Sequence, residues 1–224
     1  FVERIGRLLE QYESKATFFV LGWTVPYLAP LLRHLASQGH EIACHGDGHQ
    51  HLRRLMPDEF RDDGRSARAR RADAGGVRPR GYRAPTGSIT RETAWALDVL
   101  AEEGFAYDAS IFPIHHDRYG VPAAPTKPFR AVGPGGGRLP EFPPLTVNAG
   151  PLRLPLGGGG YLRLLPASAI AAGLAWPALP GFLSALRHGG SGAASRRYCT
   201  CTRGSWTRTS RGCRCGRWPS GATA

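Results

Sequence analysis

The chain has 224 residues, 42% of them apolar, and a formal charge of +12, enough for one large domain or two small ones. No run of eighteen apolar residues occurs, which excludes a membrane-spanning helix, and the single cysteine of residues 1–190, Cys44, excludes a disulfide scaffold there. Residues 191–224 hold seven arginines (Arg196, Arg197, Arg203, Arg208, Arg211, Arg214, Arg217) and no acid, leaving +5 for residues 1–190, so the basic excess is a property of the C-terminal segment and nucleic acid is not an expected partner of the body.

In chain order, Val2, Ile5, Leu8 and Leu9 share one helical face, and Ala16–Leu21 is an apolar run suited to a buried strand. Pro26 opens a second helix that turns Leu28, Leu31, Leu32 and Leu35 inward and stops at Gly39. Glu41–Cys44 reads as a strand, Pro57 opens a charged helix anchored by Phe60 and ending near Gly75-Gly76, and Arg80–Arg83 is a third short strand. Thr90 is placed to cap a helix carrying Trp95, Leu97, Val99 and Leu100 that ends at Gly104, before a fourth strand at Phe105–Asp108. This alternation predicts an α/β protein with a parallel sheet or barrel. From Pro113 to Gly137 proline and glycine dominate, predicting long loops; Leu139–Phe142 and Leu152–Leu154 are strand candidates flanking a turn at Asn148-Ala-Gly150. Gly157–Gly160 is a run able to approach a ligand closely. Glu3 and Arg4 stand where the apolar core of a signal peptide would be, so none is expected within the sequence as given, and the default location is the cytoplasm; Phe1 reads as the interior of a longer chain.

The sharpest chemical signal is His45-Gly-Asp-Gly-His49, directly after the second strand. Two imidazoles four residues apart can converge on one metal, at the strand end where α/β barrels place their active sites; alone, the pattern equally fits two solvated loop histidines. His40 and His51 add imidazoles, His40 in a local structural role, and Asp47 is either a stray ligand or a solvated acid. Cys44 reads as a small buried residue rather than a thiolate ligand.

Gly39-His-Glu-Ile-Ala-Cys-His-Gly-Asp-Gly-His49, Gly81-Tyr-Arg-Ala-Pro85 and Tyr107-Asp-Ala-Ser-Ile-Phe112 follow in order, each at a strand end, after Lys15-Ala-Thr-Phe-Phe-Val-Leu-Gly22. Together they resemble the NodB-type polysaccharide deacetylase family. His116-Asp-Arg-Tyr-Gly120, Gly158–Tyr161 and Arg163–Pro166 extend the likeness to the branch associated with exopolysaccharide export and sorting, over about residues 2–166. The resemblance implies a distorted (β/α) barrel that removes acetyl groups from an N-acetylated polysaccharide by metal-assisted hydrolysis, with zinc the usual metal. On this likeness His45 and His49 are metal ligands, Arg83 orients a catalytic carboxylate, and Asp117 and Tyr119 contact sugar or brace their loop. The family's paired aspartates, one a metal ligand and one the base, belong to a first strand ahead of the helix at residues 3–13. The expected body is therefore a barrel without its first strand, open beside Ala16–Leu21.

The C-terminal segment carries Cys199-x-Cys201 and Cys213-x-Cys215 among its arginines, a poor match to zinc-site spacing and a composition that predicts disorder. Reverse-translated in a shifted frame, the run beginning at Arg197 encodes Val-Leu-Tyr-Leu-His-Pro-Trp-Glu, and the deacetylase branch carries Tyr-Leu-His-Pro-Trp-Glu, whose histidine is the catalytic acid. A frameshift between about Pro166 and Ser195 is expected, dividing the chain into a partial deacetylase domain (1–166) and a basic tail (167–224). A non-catalytic carbohydrate-binding remnant and a polyanion binder acting through the tail are the competing functions.

Overall fold

The computed structural model describes residues 2–74, 76, 78–149, 152–157 and 164–175. Helix α1 (Val2–Gln11) leads into strand β1 (Thr17–Val20), α2 (Val25–Ser37) and β2 (Glu41–Cys44). There follow α3 (Pro57–Asp73), β3 (Gly81–Tyr82), α4 (Trp95–Glu102) and β4 (Tyr107–Asp108). Sequence periodicity and punctuation account for these bounds. Pro26 sits in the first turn of α2, and Gly39 leaves that helix at φ +84°. At the start of α3 the Glu59 carboxylate accepts from the Met56 N–H at 2.7 Å, occupying a donor the helix cannot satisfy itself.

The strands form a six-stranded sheet in the order β1-β2-β3-β4-β6-β5. Here β5 is Phe129–Val132 and β6 is Arg138–Glu141. The β1–β2, β2–β3, β3–β4 and β4–β6 pairs are parallel, and β5 runs antiparallel to β6. Strand, helix and parallel strand repeated in this way is the β/α unit of the expected barrel. Among the described residues β1 has a free outer edge, as the sequence reading anticipated. A second sheet pairs β7 (Thr146–Ala149) with β8 (Leu152–Pro155), and α5 (Ala167–Ala175) follows.

Three local expectations need correction. The stretch from Pro113 to Gly137 is not all loop, because β5 lies inside it, with Phe129 and Ala131 buried and Arg130 exposed in strand alternation. The glycines form its turn, where the N–H groups of Gly135 and Gly137 donate to the Asp98 carboxylate of α4 at 2.8 and 2.7 Å. Thr90 does not cap α4, which begins only at Trp95; its N–H donates to Thr93 Oγ1, whose own hydroxyl donates to the Ser88 carbonyl. Asn148 and Ala149, expected in a turn, are strand residues opposite Arg153 and Leu152. The glycine run 158–160, Tyr161, Arg163 and the tail with its cysteines lie outside the described residues. Of the segment expected to be tail, Ala167–Ala175 is helical, and among the described residues no helix is long and apolar enough to cross a membrane.

The main core gathers Phe60, Tyr82, Leu97, Leu100, Phe105 and Leu139 between the helices and the sheet, and a smaller cluster of Val25, Leu32, Leu35 and Ile42 seats α2. Aromatic edges knit the main core: Phe60 meets Tyr82 and Trp95 at ring-centroid distances of 5.5 and 5.6 Å, and Tyr82 meets Phe105 at 5.3 Å.

Candidate active site

Because β1 to β4 are parallel, the segments that follow them leave one end of the sheet side by side. Backbone bonds join the first two: the His45 N–H donates to the Val20 carbonyl at 3.1 Å and Gly22 N–H to the Gly46 carbonyl at 2.9 Å. Gly22 has no room for a side chain, since a Cβ there would lie 2.6 Å from the Ala67 Cα. Gly46 turns the loop at φ +76°, and Asp63 of α3 clamps it by accepting from the N–H groups of Asp47 (2.9 Å) and Gly48 (3.2 Å). The loop ends at His49, a non-glycine residue at φ +57°, a conformation uncommon outside functional or turn positions.

This loop places the His45 and His49 rings 5.2 Å apart, centroid to centroid. His45 is the more enclosed; its Nδ1 lies 2.8 Å from the Arg83 carbonyl, so Nδ1 carries the hydrogen and Nε2 keeps its lone pair. Burial holds its pKa below the ordinary imidazole value, opposed by the bond to Arg83 and reinforced by the charges of His49 and Arg83. The folded chain thus binds fewer protons at His45 than the unfolded chain between that lowered pKa and about 6.5. The stability contributed there is present at pH 7 and is lost as pH falls through the window. The stability advantage of wild type over His45→Gln, measured by urea unfolding, is expected to shrink between pH 7 and pH 5.

The other candidates are placed differently. Asp47 accepts from Arg70 Nε of α3 at 2.9 Å, so it is paired to that helix rather than solvated. Cys44 is a free, buried thiol pushed up to about 12, chiefly by burial, and remains protonated. His40 is buried and accepts from the Ala16 N–H at 3.3 Å. His51, two residues after His49, has its Nε2 3.3 Å from the Arg118 carbonyl. That contact joins the histidine loop to the segment His116–Gly120, where the Tyr119 ring stacks on His116 at 3.8 Å and on Phe112 at 5.9 Å. Asp117 is 78% exposed at the same segment, and both it and Tyr119 line a cleft of about 180 Å³ shared with Arg53, Arg91 and Glu92.

Arg83 is largely buried. Its Nε donates to the Ala109 carbonyl at 2.9 Å, and its guanidinium lies 4.3 Å from the Phe19 ring centre. Near it stand two carboxyl groups, of which Glu141 is absent from the sequence reading: Asp108, ending β4, and Glu141, ending β6. Both are fully buried and paired in register. Burial, followed by the Asp108 charge, holds Glu141 well above the usual carboxylate range, and burial also raises Asp108. Two carboxylates this close cannot both ionise cheaply, so one proton lies between them. Asp108 accepts from the Ser110 hydroxyl (2.6 Å) and N–H (3.3 Å), whereas Glu141 accepts from the Ile111 N–H alone among the described donors (3.0 Å). Asp108, which has more donors, is therefore the carboxylate and Glu141 the acid. The signal for Glu141 was a lone acid on the buried face of the short strand Leu139–Phe142.

The donor set can be tested against a divalent metal. His45 and His49 suit two places in a zinc site, which takes neutral imidazoles, but no group of three metal-type side chains occurs among the described residues.

Residues 1–106 match the model of the polysaccharide deacetylase family, and residues 109–177 match a domain of unknown function, DUF3473. Over residues 1–106 the chain is similar to the NodB-type polysaccharide deacetylases. It is 35% identical over 133 residues to a chitooligosaccharide deacetylase of Bradyrhizobium sp. (strain ANU 289), covering 57% of this chain and 58% of that one. Against a peptidoglycan-N-acetylglucosamine deacetylase of Bacillus cereus it is 29% identical over 99 residues, 44% of this chain and 36% of the relative. A crystal structure from Mycobacterium smegmatis, assigned to the polysaccharide deacetylases, superposes with a TM-score of 0.53 at 31% identity, over 63% of this chain and 44% of that one. The chain thus spans less than two thirds of the relatives it matches. The deacetylase segment contains the whole histidine loop and Arg83.

Proposed function

We propose that this deacetylase-family chain acts on an N-acetylated polysaccharide, an exopolysaccharide built from N-acetylhexosamines, and releases acetate by hydrolysis of the amide. The observation that carries this reading is the His45–His49 pair, 5.2 Å apart on a clamped loop at the end of a parallel sheet. His45 Nε2 and His49 would hold a divalent metal, zinc being the best match to two imidazoles. When bound, such a metal polarises an amide carbonyl and makes water more acidic. The chain's own contributions are positional. The Arg83 carbonyl fixes the His45 tautomer, Asp63 fixes the loop, and the Arg83 cation stands beside the Asp108–Glu141 pair. Tyr119 and Asp117 line the adjoining cleft, where they would meet a sugar. A base and an acid histidine matching the family pattern are not among the described residues, and each such group is worth typically ~10²–10⁴-fold.

Acetate release from N-acetylglucosamine oligomers in the presence of zinc tests the reading. Release that disappears in His45→Ala is the expected result. Oligomer binding with no acetate release by either protein would favour the carbohydrate-binding remnant, and absence of both would overturn the saccharide reading.

A further inference from the structure

A hydrogen-bonded chain runs from Glu141 to His45 through groups that are almost all buried. Glu141 Oε1 accepts from the Ile111 N–H, while Oε2 meets no N–H or hydroxyl and faces the Asp108 carboxylate. Asp108 in turn takes the Ser110 hydroxyl proton at 2.6 Å. With that proton committed, the Ser110 oxygen is an acceptor, and it receives the Ala84 N–H at 2.7 Å. The Ala84 N–H and the Arg83 carbonyl are two ends of one rigid peptide plane. That carbonyl lies 2.8 Å from His45 Nδ1. Arg83 Nε, bound to the Ala109 carbonyl beside Ser110, ties the same two strand ends together a second time.

We propose that Glu141 is a positioning residue for the candidate active site: as an acid donating to Asp108, it directs the Ser110 hydroxyl, and through the Arg83–Ala84 peptide holds His45 in the Nδ1–H form with Nε2 free. The proposal rests on the reading above that His45 Nε2 is the working atom. It requires a donor and an acceptor at position 141, not a charge. Glu141→Gln supplies both, its amide N–H to Asp108 and its carbonyl to Ile111. Glu141→Leu supplies neither at similar volume and leaves the Ile111 N–H unpaired. Ser110→Ala cuts the chain one link later without touching Glu141.

The test is the tautomer of His45, read from imidazole ¹⁵N shifts in the labelled 224-residue chain, at a pH where the ring is neutral. Wild type and Glu141→Gln are expected to give one Nδ1–H species. Glu141→Leu and Ser110→Ala are expected to give averaged or doubled signals, with zinc affinity lowered about 10–100-fold, as for loss of an outer-shell partner. Folded Glu141→Leu or Ser110→Ala with an unchanged His45 tautomer would overturn the proposal. So would a Glu141→Gln protein that behaves like Glu141→Leu. Should Glu141→Leu fail to fold, Ser110→Ala and Glu141→Gln decide alone. Absence of zinc binding in wild type, with the tautomer pattern as expected, would count against the metal reading and leave the positioning role standing.

Discussion

His45→Ala and His49→Ala are each expected to weaken zinc binding at the loop by at least about 100-fold, since even removal of a hydrogen-bond partner behind a ligand costs about 10–100-fold. The described residues offer these two imidazoles and no third metal-type side chain in the same group. Losing one leaves a single nitrogen, and water must complete the rest of the sphere. The effect should be larger at His45, whose ring is already oriented by the Arg83 carbonyl, than at His49, whose ring is exposed and set by a positive φ. Cys199, Cys201, Cys213 and Cys215 are further soft donors in the same chain, so total zinc uptake is the wrong readout. The ring signals of His45 and His49 during a zinc titration report the loop alone. Equal affinity at the remaining ring after either substitution would show that the two histidines do not share an ion.

Phe60→Ala is expected to destabilise the fold by about 3–5 kcal/mol, a large share of the total stability of a domain this size. Phe60 is 2% exposed and lies at the meeting of α3, β3 and α4. Its ring meets Tyr82 at an interplanar angle of 89° and Trp95 at 81°. Truncation removes the buried apolar surface and leaves a cavity that two rings, pinned by their own neighbours, cannot collapse into. Phe60→Leu keeps most of the volume and forfeits the edge contacts, a loss of about 1 kcal/mol. Urea unfolding of the three proteins separates these outcomes. An alanine variant within about 0.5 kcal/mol of wild type, a figure set by the usual cost of a surface change, would mean that the helices are not packed on the sheet as described.

The parallel half of the fold was readable because its short strands fall between punctuated helices: Pro26 to Gly39 brackets α2, and Pro57 opens α3. The site histidines were readable for the same reason, since a strand ending at Cys44 leaves its next residues at the sheet's end. The antiparallel part was not. Phe129–Val132 has a strand's alternation, but only four residues of it, set in proline and glycine. Its pairing with β6 depends on Asp98, a residue of α4 more than thirty positions away, gripping the intervening turn. Asp47 stood as a ligand or a solvated acid in the sequence, and only the approach of α3 reveals its pairing with Arg70. Glu141 was invisible for the opposite reason. One acid in a short strand carries no motif, and its importance comes from lying in register with Asp108 across two parallel strands.

The central claim is that His45 and His49 together form the metal-binding heart of a deacetylase site. Anomalous diffraction at the zinc edge from crystals of the 224-residue chain grown with zinc tests it most directly. The account predicts a peak between the two rings, about 2.0–2.1 Å from His45 Nε2 and from one nitrogen of His49, and none there in His45→Ala crystals. Zinc bound elsewhere on the chain, with the His45–His49 loop empty at saturating metal, would contradict it.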